Sequence, residues 1–353
     1  MTQGNARGRL QSTLALVVPC YNEQEVLPET CRRMVELLRE LVAAGKIAPA
    51  SRIYFVDDGS RDRTWQIIES FALGNLPVVG IKLSRNRGHQ NALLAGLFTA
   101  EGDMIVSIDA DLQDDINAVR EMVDKYLDGC EVVYGVRKRR RTDSFFKRFT
   151  AESFYKLLGF LGAHTVYNHA DYRLLSRRAV EALKDFREVN LFLRGIVPLI
   201  GLDSAVVYYD RNPRFAGESK YPLRKMIALA LNAVTSFSVV PLRFITLIGF
   251  VVFFLTACMS IFTLWIRFFT DLAIPGWAST LLPIYMLGGI QILCLGVIGE
   301  YLGKLYAESK ARPRYLIEEI RRPRTMLLAE RDAAAGLAAP SADASTSAAS
   351  RAA

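Results

Sequence analysis

The first two hundred residues alternate between short apolar runs and amphipathic stretches. Apolar runs of four to six residues predict buried strands, and apolar positions that recur every three to four residues predict helices. The predicted strands are 14–18, 53–56, 78–83, 104–108, 131–136 and 205–209, and the predicted helices are 23–42, 89–100 and 116–127. Because strand and helix alternate, the pattern predicts an α/β fold, a Rossmann-like domain with a mostly parallel, doubly wound sheet.

Two long uncharged stretches lie in the C-terminal part of the chain. Residues 244–266 contain 23 uncharged positions, and a helix of that length spans about 34 Å, enough to cross a bilayer. Residues 272–299 contain 28 uncharged positions, two of them prolines. We therefore predict two transmembrane helices. Residues 226–242 are uncharged too, but their hydroxyl and amide side chains favour an interfacial helix over a third span.

These patterns divide the chain into segments and suggest its orientation. Positive charge flanks both predicted spans on one side, which places both termini in the cytoplasm, and the net charge of +8 suits an anionic inner leaflet. No signal peptide is expected, because the first residues are polar. The expected segments are a polar extension 1–12, a sheet domain 13–222, an interfacial helix 223–242, a transmembrane helix 243–267, a periplasmic loop 268–278, a second transmembrane helix 279–303, a cytoplasmic juxtamembrane segment 304–324 and a disordered tail 325–353. The chain is thus predicted to be a multi-pass protein of the inner, cytoplasmic membrane, with its sheet domain in the cytoplasm.

Acidic residues follow the predicted strand 104–108. Asp109 and Asp111 flank one small residue, and two carboxylates in this arrangement can hold a hard divalent cation while leaving positions for phosphate oxygens. The alternative is a strand end followed by an acidic helix start, in which Asp114 and Asp115 complement the helix dipole. In doubly wound sheets ligands bind at the carboxyl ends of strands, so we expect Asp58 from the strand 53–56 to lie close to these residues, together with Tyr21.

Five motifs occur in order along the chain: VVPCYNE at 17–23, VDDGS at 56–60, LSRNRG at 83–88, DADLQ at 109–113 and RFAGESK at 214–220. With the two predicted spans, this order resembles the GT-A glycosyltransferases of the inverting family two. Within that family it is most similar to the polyprenyl-phosphate glycosyltransferases, the group of bactoprenol glucosyltransferases and dolichyl-phosphate mannose synthases. The resemblance covers about residues 12–322.

The resemblance implies a nucleotide-sugar site and a metal site. Asp109 and Asp111 would bind Mg²⁺ or Mn²⁺, with Asp111 as the direct ligand. Asp58 would accept the imide N–H of uracil, as a carboxylate can, although a helix-capping turn is the alternative. Gly59 permits a tight turn there, and Ser60 is expected to cap the following helix. The implied nucleotide-sugar site consists of Pro19, Tyr21, Glu23, Val56, Asp58, Asp109, Ala110, Asp111, Gln113, Arg214 and Lys220.

Basic residues form a second group of candidates. By resemblance Arg137 binds phosphate, and Lys147 and Arg148 would attract an anionic lipid headgroup. The alternative for the basic run 137–141 is a solvated charged face. No recognised nucleic-acid-binding motif accompanies the run, so nucleic acid is not expected as a partner.

Two residues, Arg214 and Asp171, are candidates for a direct part in the chemistry besides Asp111 and Arg137. Arg214, with Lys220, would stabilise the leaving diphosphate, unless this segment is an ordinary juxtamembrane basic loop. Asp171 matches a carboxylate proposed as the base. A lipid monophosphate is already largely ionised near neutral pH, so Asp171 could instead orient an arginine or a sugar hydroxyl. His164 and His169 are expected in a polar turn.

The expected activity is that of a hexosyltransferase. The resemblance implies inverting transfer from a nucleotide-diphosphate sugar, UDP-glucose as first choice, to undecaprenyl phosphate or another polyprenyl phosphate. The product would be a polyprenyl monophosphoryl sugar for the cell envelope, passed to a flippase and a downstream transferase, and the protein would be a homo-oligomer. Two alternatives are a processive polysaccharide synthase, for which the Gln-x-x-Arg-Trp motif is missing, and a non-catalytic membrane protein that binds sugar nucleotides.

Overall fold

The computed structural model describes residues 11–74, 76–138, 169–186, 188, 193–210 and 277–323, and isolated positions between 245 and 265. The predicted interfacial helix and most of the first predicted span lie outside the described residues, as does the predicted disordered tail.

The strands of the described chain form one eight-stranded sheet, in the order β7-β5-β6-β4-β1-β2-β3-β8. Four strand pairs are parallel, namely β1 with β2, β1 with β4, β2 with β3 and β5 with β7. Strand β6 is antiparallel to both neighbours, and β8 is antiparallel to β3. The strands are β1 (Leu14–Cys20), β2 (Arg52–Asp57), β3 (Val78–Leu83), β4 (Met104–Ser107), β5 (Val132–Arg137), β6 (His169–Ser176), β7 (Ser204–Tyr209) and β8 (Ile317–Arg321). The predicted mostly parallel sheet is confirmed.

Helices cover both faces of the sheet, as a doubly wound fold requires. The helices are α1 (Leu27–Ala43), α2 (Thr64–Leu73), α3 (His89–Thr99), α4 (Ala118–Leu127), α5 (Arg177–Lys184), α6 (Leu193–Leu199) and α7 (Trp277–Ser309). Successive residues of β1 point to opposite faces, so Leu16 packs in one core with Met34 of α1, while Val17 packs in the other with Leu93 of α3. All seven residues of β1 are therefore buried, which explains its uninterrupted apolar sequence.

Two strands, β6 and β8, are not apolar runs and were not predicted from the sequence. Strand β6 contains the charged residues Asp171 and Arg173, which interrupt its hydrophobic sequence. The prediction that His169 lies in a polar turn is wrong, because His169 begins β6. Strand β8 has the mixed sequence IEEIR and pairs as an edge strand with β3, so the sheet takes one strand from the segment predicted to be juxtamembrane.

Helix α1 begins at Leu27, four residues later than predicted. Pro28 lies in its first turn, where a missing N–H costs nothing, and the chain before it forms a turn in which Val26 N donates to Glu23 O at 3.1 Å. The motif residue Glu23 thus lies in a loop and not in a helix.

Helix α7 contains the whole of the second predicted span, 279–303. Across the part of the chain that the structure describes, no helix has both the length and the hydropathy required to cross a membrane.

Helix α3 packs closely on the sheet at Gly96. A Cβ atom at Gly96 would lie 2.3 Å from Val17 Cγ1 and 2.8 Å from Val56 Cγ2, both on branched side chains in the buried sheet. Gly96→Ala should therefore lower the free energy of unfolding by about 1 to 3 kcal/mol, despite the better helix propensity of alanine. Urea unfolding of the purified full chain, followed by circular dichroism, measures the change.

Gly74, after the end of α2, provides the matched control. A Cβ there would meet its nearest atoms at 3.4 Å, an ordinary contact, so Gly74→Ala should change the stability by less than about 0.5 kcal/mol. Equal stabilities of the two variants would contradict the close packing of α3 on β1 and β2.

Candidate active site

The loops that follow β1, β2 and β4 meet at the carboxyl edge of the sheet. Pro19 and Val56 are buried partners in register on β1 and β2. Tyr21, whose ring is exposed, is the first residue after the end of β1. Strand β4 is the other neighbour of β1, and it delivers Asp109 to the same edge. The predicted clustering of Tyr21, Asp58 and Asp109 is therefore what strand order produces, although these residues are far apart in sequence.

Hydrogen bonds join the loops after β1 and β2. Asn22 N donates to Ser60 Oγ at 3.0 Å, and Glu23 N donates to Thr64 Oγ1 at 2.9 Å. The prediction that Ser60 caps the next helix is wrong, because α2 begins at Thr64 and has no side-chain cap. Ser60 instead holds the motif that contains Tyr21 and Glu23.

Asp58 fixes the loop that leads into α3. Its side chain accepts hydrogen bonds from Arg87 N at 2.6 Å and Gly88 N at 2.9 Å, and the residue is only 3% exposed. Burial raises the pKa of Asp58, and the two backbone donors oppose that rise. Asp58 therefore works as an internal loop anchor, and a contact with a base would use its remaining lone pairs.

Gly59 allows the loop after β2 to pack closely against the loop between β3 and α3. Its φ is +67°, and a Cβ there would lie 2.6 Å from Asn86 N, which is backbone and cannot yield. A side chain at this position would force the loops apart, so the glycine serves both the turn and the close contact.

The loop after β4 carries the predicted metal ligands. Asp111 Oδ1 accepts from Gln113 N at 3.1 Å, and Leu112 between them has a φ of 57°. Ala110 is buried, and its carbonyl accepts from Thr30 Oγ1 at 2.8 Å, which ties the loop to α1. Gln113 is buried as well, with 7% exposure.

Asp109 lies in a strongly acidic environment. Its side chain is 39% exposed, and its Oδ1 is 3.5 Å from Nε2 of His89, the first residue of α3. The pKa of Asp109 is raised to about 6, chiefly by partial removal from water and further by the nearby carboxylates of Asp114, Asp171 and Asp111, while His89 opposes the rise. His89 was not among the predicted site residues.

The donor set fits a hard cation that completes its coordination with other oxygens. Among the described residues, no group of three or more His, Cys, Asp or Glu side chains is arranged to hold a metal. Two carboxylates are a suitable set for Mg²⁺ or Mn²⁺, because such ions keep several waters and take substrate phosphates as further ligands. Burial is the main reason that the pKa of Asp109 is raised, and the nearby carboxylates add to it, so a bound cation would favour the ionised form.

Arg137, at the end of β5, is held by a buried acid on the loop after β4. Asp114, 3% exposed, accepts from Arg137 Nη2 at 3.1 Å and from the hydroxyl of Tyr209 at 2.7 Å, and Arg137 Nε donates to that hydroxyl at 3.1 Å. The alternative of an acidic helix start holds in part, because Asp115 Oδ1 accepts from the backbone N of Asn117 just before α4 at 3.0 Å, whereas Asp114 pairs with Arg137. The guanidinium therefore lies in a fixed position beside the acidic loop.

Asp171 is bound by two arginines. Its Oδ1 is 2.5 Å from Arg173 Nη2, and its Oδ2 is 3.1 Å from Arg194 Nη2. Burial raises the pKa of Asp171, but Arg194 and Arg173 outweigh it and hold the pKa well below its usual range. Of the two predicted roles, base or partner of an arginine, this geometry favours the second. Arg194 was not among the predicted site residues, because it lies in none of the five motifs.

Four predicted site residues lie outside the described part of the chain: Lys147, Arg148, Arg214 and Lys220. Their roles stay predictions, as do the substrate contacts assigned above to the described residues.

Comparison with other proteins agrees with the resemblance read from the motifs. The model of the family "Glycosyl transferase family 2" matches residues 15–184. The uncharacterized glycosyltransferase YkoT of Bacillus subtilis is 52% identical over 310 residues, which cover 87% of this chain and 92% of YkoT. The prophage bactoprenol glucosyl transferase homolog of Escherichia coli is 40% identical over 316 residues, or 88% of this chain and 99% of that protein. The bactoprenol glucosyl transferase of Shigella phage SfX is 39% identical over 312 residues, or 86% of this chain and 98% of that protein. Similarity of this extent, over nearly the full length of these relatives, shows that the chain is a glycosyltransferase and belongs to glycosyl transferase family 2.

Proposed function

We propose that the protein transfers a hexose from a nucleotide-diphosphate sugar, with UDP-glucose as first candidate, to a polyprenyl phosphate, with inversion at the anomeric carbon. The observation that carries the proposal is the loop 109–114. At one end it presents two carboxylates suited to a divalent cation, and at the other Asp114 holds the guanidinium of Arg137. The loop would thus connect a cation site with a guanidinium suited to phosphate, an arrangement that supports transfer between two phosphorylated substrates.

The relatives support the choice of acceptor. Two of them carry the name bactoprenol glucosyl transferase or its homolog, and each aligns with this chain over nearly its whole length. We therefore assign undecaprenyl phosphate, or another polyprenyl phosphate, as the acceptor lipid.

The proposed reaction is a single in-line displacement. A phosphate oxygen of the lipid forms a bond to the anomeric carbon, while the bond from that carbon to the nucleotide diphosphate breaks and the electron pair leaves with the diphosphate. Mg²⁺ or Mn²⁺ held by Asp109 and Asp111 would supply positive charge against the departing diphosphate. Arg137 binds the acceptor phosphate, and a forked guanidinium held in place by Asp114 and Tyr209 is suited to that.

The lipid phosphate needs no strong base to attack. Its second pKa is about 6, so it is largely ionised near neutral pH. Asp171, whose pKa two arginines lower, would be a weak base in any case. We therefore assign proton removal to no side chain.

The acceptor's phosphate lies near the headgroups of a bilayer, so the site must be held at the membrane. We propose that the two apolar stretches of the C-terminal part span the inner membrane, that the sheet domain faces the cytoplasm, and that the protein assembles as a homo-oligomer. The product would go to a flippase and a downstream transferase in cell-envelope glycosylation. Arg214 and Lys220 would bind the leaving diphosphate, and Lys147 and Arg148 the lipid headgroup.

Asp111→Ala should lower transfer at least about 100-fold. Loss of a group that only hydrogen-bonds to a metal ligand already costs up to about 100-fold, and loss of the ligand itself should cost no less. The measurement is Mg²⁺- or Mn²⁺-dependent transfer of labelled glucose from UDP-glucose to undecaprenyl phosphate by the purified full chain. EDTA should abolish the activity of the unsubstituted protein, and added Mn²⁺ should restore it. The control is Asp128→Ala at the exposed end of α4, which should keep full activity. Transfer by Asp111→Ala at the control's rate would refute the metal site.

Arg137→Lys should raise the KM for undecaprenyl phosphate about tenfold and leave the KM for UDP-glucose nearly unchanged. Lysine keeps the charge, but it lacks the planar fork that bonds Asp114 and Tyr209 together. Steady-state kinetics with each substrate varied in turn give both constants. Arg33→Lys on the exposed face of α1 is the matched control and should change neither. An unchanged KM for the lipid would remove Arg137 from the acceptor site.

A further inference from the structure

The ion-pair cluster around Asp171 carries more positive than negative charge. One carboxylate is shared by Arg173 and Arg194, so the three side chains have a net charge of +1. A guanidinium that a carboxylate holds in place can donate further hydrogen bonds to the oxygens of a phosphate.

The two arginines differ in how firmly they are held. Arg173 is 1% exposed, lies 2.5 Å from Asp171 Oδ1 and donates through Nη1 to the carbonyl of Leu193 at 3.1 Å. Its guanidinium therefore compensates the charge of Asp171 inside the protein, even if Arg194 loses its contact with that carboxylate. Removing such a partner from a buried pair is costly, so Arg173 is a structural residue.

Arg194 is the outer partner of the same carboxylate. Its side chain is 37% exposed, and its bonds to Asp171 are 3.3 Å from Nε to Oδ1 and 3.1 Å from Nη2 to Oδ2. Asp171 also bonds Arg173, so a weaker contact with Arg194 leaves the carboxylate paired. Arg194 can therefore exchange part of this contact for a ligand without leaving a buried charge unpaired.

The cluster around Asp171 lies beside Asp109 at the carboxyl edge of the sheet. Strands β4 and β6 pair in antiparallel register from Met104 with Ser176 to Ser107 with Arg173, so continuation of that register brings Asp171 opposite Asp109. The hydroxyl of Ser107 donates to the carbonyl of Asp171 at 2.5 Å, which fixes this approach.

The start of α6 also touches the first turn of α3. Leu193 N donates to Gln90 Oε1 at 3.4 Å, and the neighbouring His89 contacts Asp109. Arg194 follows Leu193 directly and bonds Asp171, so its guanidinium lies near the carboxyl edge of the sheet that carries Asp109.

We propose that Arg194 contacts a phosphate oxygen of the bound substrates and that Asp171 is the positioning residue that orients its guanidinium. The inference rests on the proposed function and adds a residue to its site. A phosphate oxygen could belong to the diphosphate of the donor or to the monophosphate of the acceptor, and the two sources differ in the kinetic constant that they affect.

The first test compares variants of the purified full chain in transfer from labelled UDP-glucose to undecaprenyl phosphate. Arg194→Ala should lose about 10- to 100-fold in kcat/KM, the range expected when a hydrogen bond to a charged group is lost. A raised KM for UDP-glucose identifies the donor diphosphate as the ligand, and a raised KM for undecaprenyl phosphate identifies the acceptor. Guanidinium ion added in solution should restore part of the activity, which a purely structural defect would not allow.

Two further variants complete the comparison. Arg178→Ala, on the exposed face of α5, should match the unsubstituted protein within about twofold. Asp171→Asn should lower activity less than Arg194→Ala does and leave the acidic limb of the pH profile unchanged, because asparagine can still accept a bond from Arg194.

Three results would overturn the inference. Arg194→Ala could behave like Arg178→Ala. Its loss could be confined to kcat, with both KM values unchanged and no rescue by guanidinium. Asp171→Asn could abolish transfer while Arg194→Ala keeps it, which would make Asp171 the base.

A binding measurement separates this inference from the proposed function. UDP and undecaprenyl phosphate are each titrated into the full chain, and the shift in its melting temperature is recorded without any transfer. Arg194→Ala should weaken binding of one of them about tenfold or more, whereas Arg178→Ala should not. Unchanged binding of both refutes the inference even if transfer is observed, and weakened binding supports it even if the transferred sugar is not glucose.

Discussion

The partial burial of several carboxylates close to one another is the constraint that organises the carboxyl edge of this sheet. Asp109, Asp111, Asp114 and Asp171 lie close enough that the last three contribute to the raised pKa of Asp109. Like charges this close destabilise a fold unless cations balance them. Arg137 and the hydroxyl of Tyr209 balance Asp114, and Arg173 and Arg194 balance Asp171. The charge that remains concentrated at Asp109 and Asp111 is the part that a divalent cation is suited to neutralise.

The three arginines that pair with these acids differ in function because they differ in burial. Arg173 is enclosed and bonds both a carboxylate and a backbone carbonyl, so it belongs to the framework. Arg137 and Arg194 are held by acids in the interior but keep part of their surface in water. A guanidinium oriented in this way loses little side-chain freedom when a phosphate binds, which favours affinity. The acids behind the arginines thus matter as much as the arginines themselves.

Local sequence pattern predicted most of the fold for a simple reason. A parallel strand with helices on both faces buries every residue, so β1 to β5 appear as apolar runs bounded by polar loops. Strand β6 was missed because Asp171 and Arg173 lie in it, and charges in a strand are compatible with burial only when they pair. Strand β8 was missed because it is short and mixed, and its partner β3 is more than two hundred residues away.

The sequence by itself determined the alternation of strands and helices, the family and the acidic motif, because these depend on residue type and short spacing. Only the tertiary structure decided which cation meets which acid. Asp114 joins Arg137 and Tyr209, and Asp171 joins Arg194, through strand order and antiparallel register that no local pattern encodes. Ser60 and Asp58 likewise bond loops far along the chain instead of the helix beside them. Contacts between distant segments are set by packing of the whole sheet, and they assign each charged side chain its partner.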